Sequence, residues 1–273
     1  MASFFETITE AINDIVNNGF DTQKRIDDWL AKIRKAAIDS LVPMAVVEKE
    51  VAATMQTIYK RMIINGGILR FHPGISKYTL DMVKPKLRKE LDRRIMANAQ
   101  LIKLNREQMI LKTQQRFSGW ATSIPNGGSD AVDKKDTKTV IRKALAQLPF
   151  EERRVAIDQG AKFVAQLNNV VAVDRAAIAA EWQSHWRRPN YNYREDHKER
   201  DRRVYAIRGN WAMEKGLMKA GPDGYTDEIT MPGEEVFCQC NYVYIYGVNK
   251  LPDNMLTQKG RDGIAKAIAE FGL

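Results

Sequence analysis

Two cysteines, Cys238 and Cys240, stand one residue apart in the run Pro232-Gly233-Glu234-Glu235-Val236-Phe237-Cys238-Gln239-Cys240, and the chain has no others. Two of the chain's three histidines, His185 and His197, lie nearest before them. Thiols and imidazoles are the donors of structural zinc, but such sites favour cysteine pairs two to four residues apart on a tight turn, with four ligands in all. Residues 236–248 instead carry the β-branched and aromatic enrichment of a strand, bounded by Pro232-Gly233 and Gly247. Period-two geometry then places Val236, Cys238, Cys240, Tyr242, Tyr244 and Tyr246 on one face of it. Phe237, Gln239, Asn241, Val243 and Ile245 take the other. Both faces are largely apolar, and an unpaired cysteine in such a place behaves as a small buried hydrophobe. The two thiols are therefore expected to be core packing, with no metal and no cofactor.

Cationic chemistry is concentrated elsewhere. Residues 61–120 hold 13 Lys and Arg against 4 Asp and Glu, a surplus that equals the net charge of +9 for the whole chain. Within that stretch Lys86, Lys89 and Arg93 recur at helical spacing on one face, and Lys112 and Arg116 extend the charge. These five are the candidate contacts to double-stranded DNA, since acids are too few there to pair with most of them. A second basic segment, Trp186-Arg187-Arg188-Pro189-Asn190-Tyr191-Asn192-Tyr193-Arg194, interleaves rings with cations, a pattern suited to nucleic acid. Nearby Glu195, Asp196, Glu199 and Asp201 nearly balance its charge, which favours pairing within the chain. No glycine-rich phosphate loop, Gly-x-Ser-x-Gly elbow, His-Glu-x-x-His helix or carboxylate cluster is present, and no catalytic residue is assigned.

The elements that position these groups follow from periodicity. Phe4, Phe5, Ile8, Ile12, Ile15 and Val16 define a first helix stopped by Gly19. Ile26, Trp29, Leu30, Ile33 and Ala37 define a second, with Asp21 as a possible cap. A third follows Pro43, with Val47, Val51, Met55, Ile58 and Met62 on one face, and closes at Gly66-Gly67. The longest pattern runs from about Lys84 to Ser118 with Pro85 in its first turn. Leu87, Leu91, Ile95, Ile102 and Met109 share one narrow arc. Ala121 to Lys138, with Pro125-Asn126-Gly127-Gly128-Ser129, reads as a linker. Short helices are expected over 139–148 and 150–168, another from Val173 to Trp186, and a last over 257–271.

The expected fold class is α+β and mainly α. An elongated helical part (1–120) with a long helix leads through the linker (121–138) to a compact α+β domain with a small β-sheet (139–273). No run of about 18 apolar residues suggests a membrane span. Met1-Ala-Ser-Phe-Phe-Glu6 lacks the cationic start of a secretory leader. Two cysteines so close in a strand do not form a disulfide framework, so a reducing compartment is expected.

The order of pieces in the last third of the chain resembles the Mu F-type family of bacteriophage minor head (head morphogenesis) proteins. Its members carry an Arg-rich stretch with a His, then a Pro-Gly-x-x-Val-x-Cys-Arg-Cys turn that opens a strand. Arg194, His197, Pro232, Gly233, Val236, Cys238 and Cys240 match; Gln239 replaces the usual Arg, and Phe237 a small polar residue. The resemblance implies a non-enzymatic virion protein acting in capsid assembly, in contact with the portal and other virion proteins and near packaged DNA. It also implies several copies per assembly, residence in the capsid interior or neck, and passage through the host cytoplasm during assembly. A neck or head–tail connector protein is the alternative within that class. A nucleic-acid-processing enzyme is the alternative outside it, and would need a metal or base cluster.

Overall fold

The computed structural model describes residues 3–271. It is an α+β protein, mainly helical, with a small antiparallel sheet near its C-terminus. The helices are α1 (Phe4–Asn18), α2 (Gln23–Asp39), α3 (Met44–Tyr59), α4 (Lys77–Ala121), α5 (Lys134–Ala146), α6 (Leu148–Asp174), α7 (Glu195–Glu199), α8 (Trp211–Glu214) and α9 (Gln258–Phe271). The strands are β1 (Ala179–Gln183), β2 (Val204–Ala206) and β3 (Asn241–Ile245). Among the described residues no helix is long and apolar enough to cross a membrane.

The chain divides into two compact units, one of Met1–Val51 with Met96–Ala156, the other of Ala52–Ile95 with Ile157–Leu273. This differs from the expected division at 1–120, 121–138 and 139–273. The reason lies in the Pro125–Ser129 turn, which packs back onto α1 within the first unit. Ser129 N–H donates to the Val16 carbonyl at 2.9 Å. Gly128, with φ of +97°, lies so close to that carbonyl that an added Cβ would collide with its oxygen. Ile124 is buried in the same core. A turn-forming composition is thus compatible with tight packing when its glycines let main chain meet main chain.

In the first unit the α1 pattern is realised as expected. Ser3 Oγ accepts from Glu6 N–H at 3.3 Å, and the Glu6 carboxylate accepts from Ser3 N–H at 2.6 Å, a capping box. Ile8, Ile12 and Ile15 pack with Ile26 and Ile33 of α2, Ile110 and Phe117 of α4, and Ile141 of α5. One polar clamp ties α1 to α2. Asp14 accepts from Arg25 Nε at 3.0 Å, Arg25 Nη2 at 2.8 Å and Trp29 Nε1 at 2.7 Å. Thr22, rather than Asp21, caps α2 through its side chain.

The long helix starts earlier than periodicity indicates. It begins at Lys77, so Pro85 lies inside it and not in its first turn. Ser76 Oγ accepts from Thr79 N–H at 3.1 Å, and Leu80 and Val83 extend the buried stripe of Leu87 and Leu91. Tertiary packing along that stripe outweighs the main-chain bond that proline removes.

In the second unit the sheet has order β2-β1-β3, with β1 central and antiparallel to both neighbours. Ala180 faces Tyr205 on one side and Tyr244 on the other, and Trp182 faces Tyr242. This corrects two expectations. Residues 179–183, read as part of a helix from Val173 to Trp186, form the central strand. The chain leaves α6 through Ala176, which has φ of +52°. Ala177 N–H then bonds the Ala172 carbonyl (3.0 Å) and Ala176 N–H that of Val173 (3.3 Å), a Schellman pattern. Alanine in the position that glycine usually fills hides the stop. The expected strand over 236–248 is shorter, Asn241–Ile245, preceded by turns over 232–237 and an irregular stretch over 238–240.

The Asp14 clamp sets a pH dependence. The Arg25 guanidinium lowers the Asp14 carboxyl from 3.8 to about 2. A lowered folded-state pKa contributes stability that is present above the unfolded value and lost as pH falls through the folded one. Asp14→Asn should therefore unfold at lower temperature than the parent by a constant margin above pH of about 4. The margin should close between that pH and about 2. Thermal melts of both proteins across that range check it; a margin independent of pH would remove the ion pair as its cause.

Candidate functional site

His197, Cys238 and Cys240 come together in the second unit, buried, with ligand atoms all within 4.8 Å of one another. Helix α7 supplies His197, and the turn-rich segment before β3 supplies both thiols. His197 Nδ1 lies 3.6 Å from Cys238 Sγ and 3.6 Å from Cys240 Sγ. Its other nitrogen, Nε2, faces carboxylates, 3.6 Å from Glu235 Oε2 and 3.9 Å from Asp196 Oδ2. The ring stands edge-on to Trp182 with centroids 5.1 Å apart, and Trp182 stands edge-on to Tyr242 at 5.5 Å. The central strand thus provides the floor on which the imidazole rests.

The thiol segment is held by its own turns and by neighbours. Pro232 and Gly233 are buried, and Gly233 has φ of +78°. In that conformation its N–H donates to Cys238 Sγ at 3.3 Å, and an added Cβ would lie 2.8 Å from the Ala165 Cβ of α6. Phe237 has φ of +62°, a conformation that costs a side chain-bearing residue about 1–2 kcal/mol. Its N–H donates to Asp158 Oδ1 at 2.5 Å and its carbonyl accepts from Tyr191 Oη at 3.2 Å. Arg194 closes the arrangement, donating to Glu235 Oε2 at 2.6 Å and to the Val236 carbonyl at 3.0 Å. The six motif residues Arg194, His197, Pro232, Gly233, Cys238 and Cys240, separated by up to 46 positions, therefore gather around one buried point.

Hydrogen bonding at that point favours negative charge on one sulfur, that of Cys238. Main-chain N–H groups of Gly233 and Cys240 face Cys238 Sγ, and that of His185 faces Cys240 Sγ. A hydrogen bond from the Cys240 thiol, then these N–H groups, lower the Cys238 pKa, while the same sharing and burial push Cys240 up. The His185 ring stays outside the cluster; burial, then Arg188 and Arg70, push its pKa down. The geometric objection to a metal, that both thiols lie in a strand, does not hold, because Cys238 and Cys240 lie in an irregular stretch ahead of β3.

The basic aromatic segment is spent within the chain. Trp186 Nε1 donates to Asp201 at 3.0 Å, Arg188 donates to Gln239 Oε1 at 2.5 Å, and Gln239 N–H donates to Tyr191 Oη at 3.1 Å. Among the DNA candidates, Lys86, Lys89 and Arg93 belong to the second unit and Lys112 and Arg116 to the first. Lys86 pairs with Asp174, Arg93 with Glu90 at 2.8 Å, and Arg116 donates to the Val140 carbonyl at 3.1 Å. Lys89 and Lys112 are exposed. Sequence reasoning missed Glu235, Trp182 and Asp158; only the adjacency of Glu235 to the cysteines hinted at one of them. It also missed His72, a core histidine stacked on Tyr244, which donates to or accepts from Tyr246 Oη at 2.6 Å and which burial lowers to about 4.

No protein-family model, curated protein or solved structure matches this chain.

At Gly233 conformation and space both exclude a side chain. Gly233→Ala should destabilise the protein by roughly 1–3 kcal/mol through the left-handed φ, and more if Ala165 does not yield. Denaturant unfolding measures it, and a change within about 0.5 kcal/mol would mean that the turn re-forms without strain.

Proposed function

We propose that this chain is a minor head protein of a bacteriophage, acting in capsid assembly beside the portal and close to packaged DNA. The observation that carries the reading is the convergence of Arg194, His197, Pro232, Gly233, Cys238 and Cys240, the residues of the family resemblance, on one buried cluster. Residues that make a motif only by chance have no reason to meet in space. Here each plays a distinct part. The two sulfurs and the imidazole touch, Gly233 donates to sulfur, Pro232 is buried beside it, and Arg194 binds the Glu235 that faces the imidazole. The two sulfurs and the imidazole are buried, which supports a structural role over an enzymatic one.

The test is location. Particles purified from cells producing the phage that encodes this chain should contain it at a fixed copy number, far below that of the major shell protein. It should appear in both empty and DNA-filled heads. Recovery of the chain only in the soluble fraction, with none in particles, would overturn the reading.

The DNA-facing part of the proposal rests on Lys89 and Lys112, since internal partners occupy Lys86, Arg93 and Arg116. Removing one lysine–phosphate interaction flattens the dependence of log K on log salt by about 1. Lys89→Gln with Lys112→Gln should therefore reduce the slope for double-stranded DNA by about 2. An unchanged slope would remove DNA from the role of this helix.

A further inference from the structure

We propose that His197, Cys238 and Cys240 bind one zinc ion, which fastens α7 to the turn segment ahead of β3. The inference is independent of any role in a phage head.

Spacing is the first argument. Zinc bonds of about 2.0–2.1 Å to nitrogen and about 2.3 Å to sulfur, held at tetrahedral angles, set the N···S separation at about 3.6 Å. His197 Nδ1 stands 3.6 Å from each sulfur. A neutral imidazole Nδ1 has either one proton or one lone pair, so it can bond only one of the two sulfurs that stand equally close to it. A cation at the centre of the three atoms satisfies all of them at once.

The surroundings are those of a metal–thiolate centre. The Gly233 N–H donates to Cys238 Sγ at 3.3 Å, as needed by a buried sulfur carrying charge. Glu235 faces the back of the imidazole at 3.6 Å and is itself anchored by Arg194 at 2.6 Å. A carboxylate behind a ligating histidine fixes the ring and its tautomer and raises its basicity. Two thiolates with a divalent ion form a neutral unit, so burying the loaded site leaves no net charge in the core. Soft sulfur with imidazole selects zinc over magnesium or calcium. Ser184 Oγ, 3.9 Å from Cys240 Sγ, offers an oxygen on that side for the fourth position, directly or through water. The rival reading, a cysteine nucleophile activated by histidine, requires access to sulfur. Cys238 is 0% exposed and Cys240 2%, and the cavity of about 390 Å³ in this unit is lined by Tyr242, Tyr244, Trp211 and others but not by the cysteines.

The experiment uses the full-length chain, expressed with zinc in the medium, freed of any affinity tag and purified under reducing conditions. Elemental analysis should find about one zinc per chain, with chelation lowering the thermal unfolding midpoint by several degrees. Exchange with Co²⁺ should give thiolate-to-cobalt charge-transfer bands and the intense d–d absorption of four-coordination. The chain has only two cysteines, so those bands identify the site even if Cys238→Ser and Cys240→Ser fail to fold. Glu235→Gln should keep the spectrum and weaken metal binding by about 10–100-fold. A reduced chain that is metal-free as purified and takes up neither Zn²⁺ nor Co²⁺ would overturn the proposal. So would zinc retained at one per chain in folded Cys238→Ser and Cys240→Ser, or cobalt bound without thiolate bands.

Discussion

Three polar groups, an imidazole and two sulfurs, meet in the interior of the sheet-bearing unit, and much of that unit is arranged to make their burial tolerable. A buried polar atom without a partner costs about 1–3 kcal/mol. The surroundings answer part of that cost, although among the described residues no hydrogen bond reaches His197 Nε2. Gly233 turns left-handed to bring its N–H onto Cys238 Sγ. Glu235 meets the far side of His197, and Arg194 holds Glu235 in place. Trp182 presents its edge to the imidazole from the middle strand. Because β1 is central, Trp182 cannot move without disturbing both β2 and β3. The position of the imidazole is thereby tied to the sheet.

The same constraint explains the backbone strain ahead of β3. Phe237 adopts a left-handed conformation that a residue with a side chain avoids, and it does so between Val236 and Cys238. Asp158 from α6 takes its N–H and Tyr191 donates to its carbonyl. That turn delivers the chain to Cys238 and Cys240, both 3.6 Å from one nitrogen, just before it enters β3. The basic aromatic segment is the outer wall of this arrangement. Three of its residues, Tyr191, Arg188 and Arg194, are committed to the Cys segment. Charge interleaved with rings serves intramolecular packing here, as the balancing acids suggest.

Much of the helical framework was legible in the sequence because amphipathic helices declare themselves by periodicity. The α1 stripe, the arc Leu87–Leu91–Ile102 and the last helix all follow that signal. Three features were not legible, each for a physical reason. Ala176 ends α6 in a place where glycine is the usual mark, so β1 looked like more helix. Pro85 suggested a helix start, while Ser76 and the apolar pair Leu80 and Val83 were the real signals. The glycines at 127 and 128 suggested a loose linker, although a glycine can equally mark close packing of main chain, as at Val16. Of the site, the residue types were visible, but the meeting of His197 with thiols 41 and 43 positions along the chain was not. Pairwise proximity of that kind is set by tertiary structure, and only the resemblance to a family pattern grouped the three.

That pattern gains a physical reading from the arrangement. In this chain Pro232-Gly233-x-x-Val236-x-Cys238-x-Cys240 is not a strand but a turn that leads into a buried cluster. The proline is buried, the glycine supplies φ of +78° and an N–H for sulfur, and Glu235 at the second variable position faces the histidine. The departures at 237 and 239 are absorbed by this chain's own contacts. Gln239, which stands where arginine is usual, accepts from Arg188, so a guanidinium still lies beside the segment, brought from the aromatic loop instead of from within the motif. Phe237 retains the left-handed turn because Asp158 and Tyr191 hold its main chain from both sides. What residues 237 and 239 leave untouched is the set of atoms around the imidazole, which the turn and the irregular stretch ahead of β3 hold together.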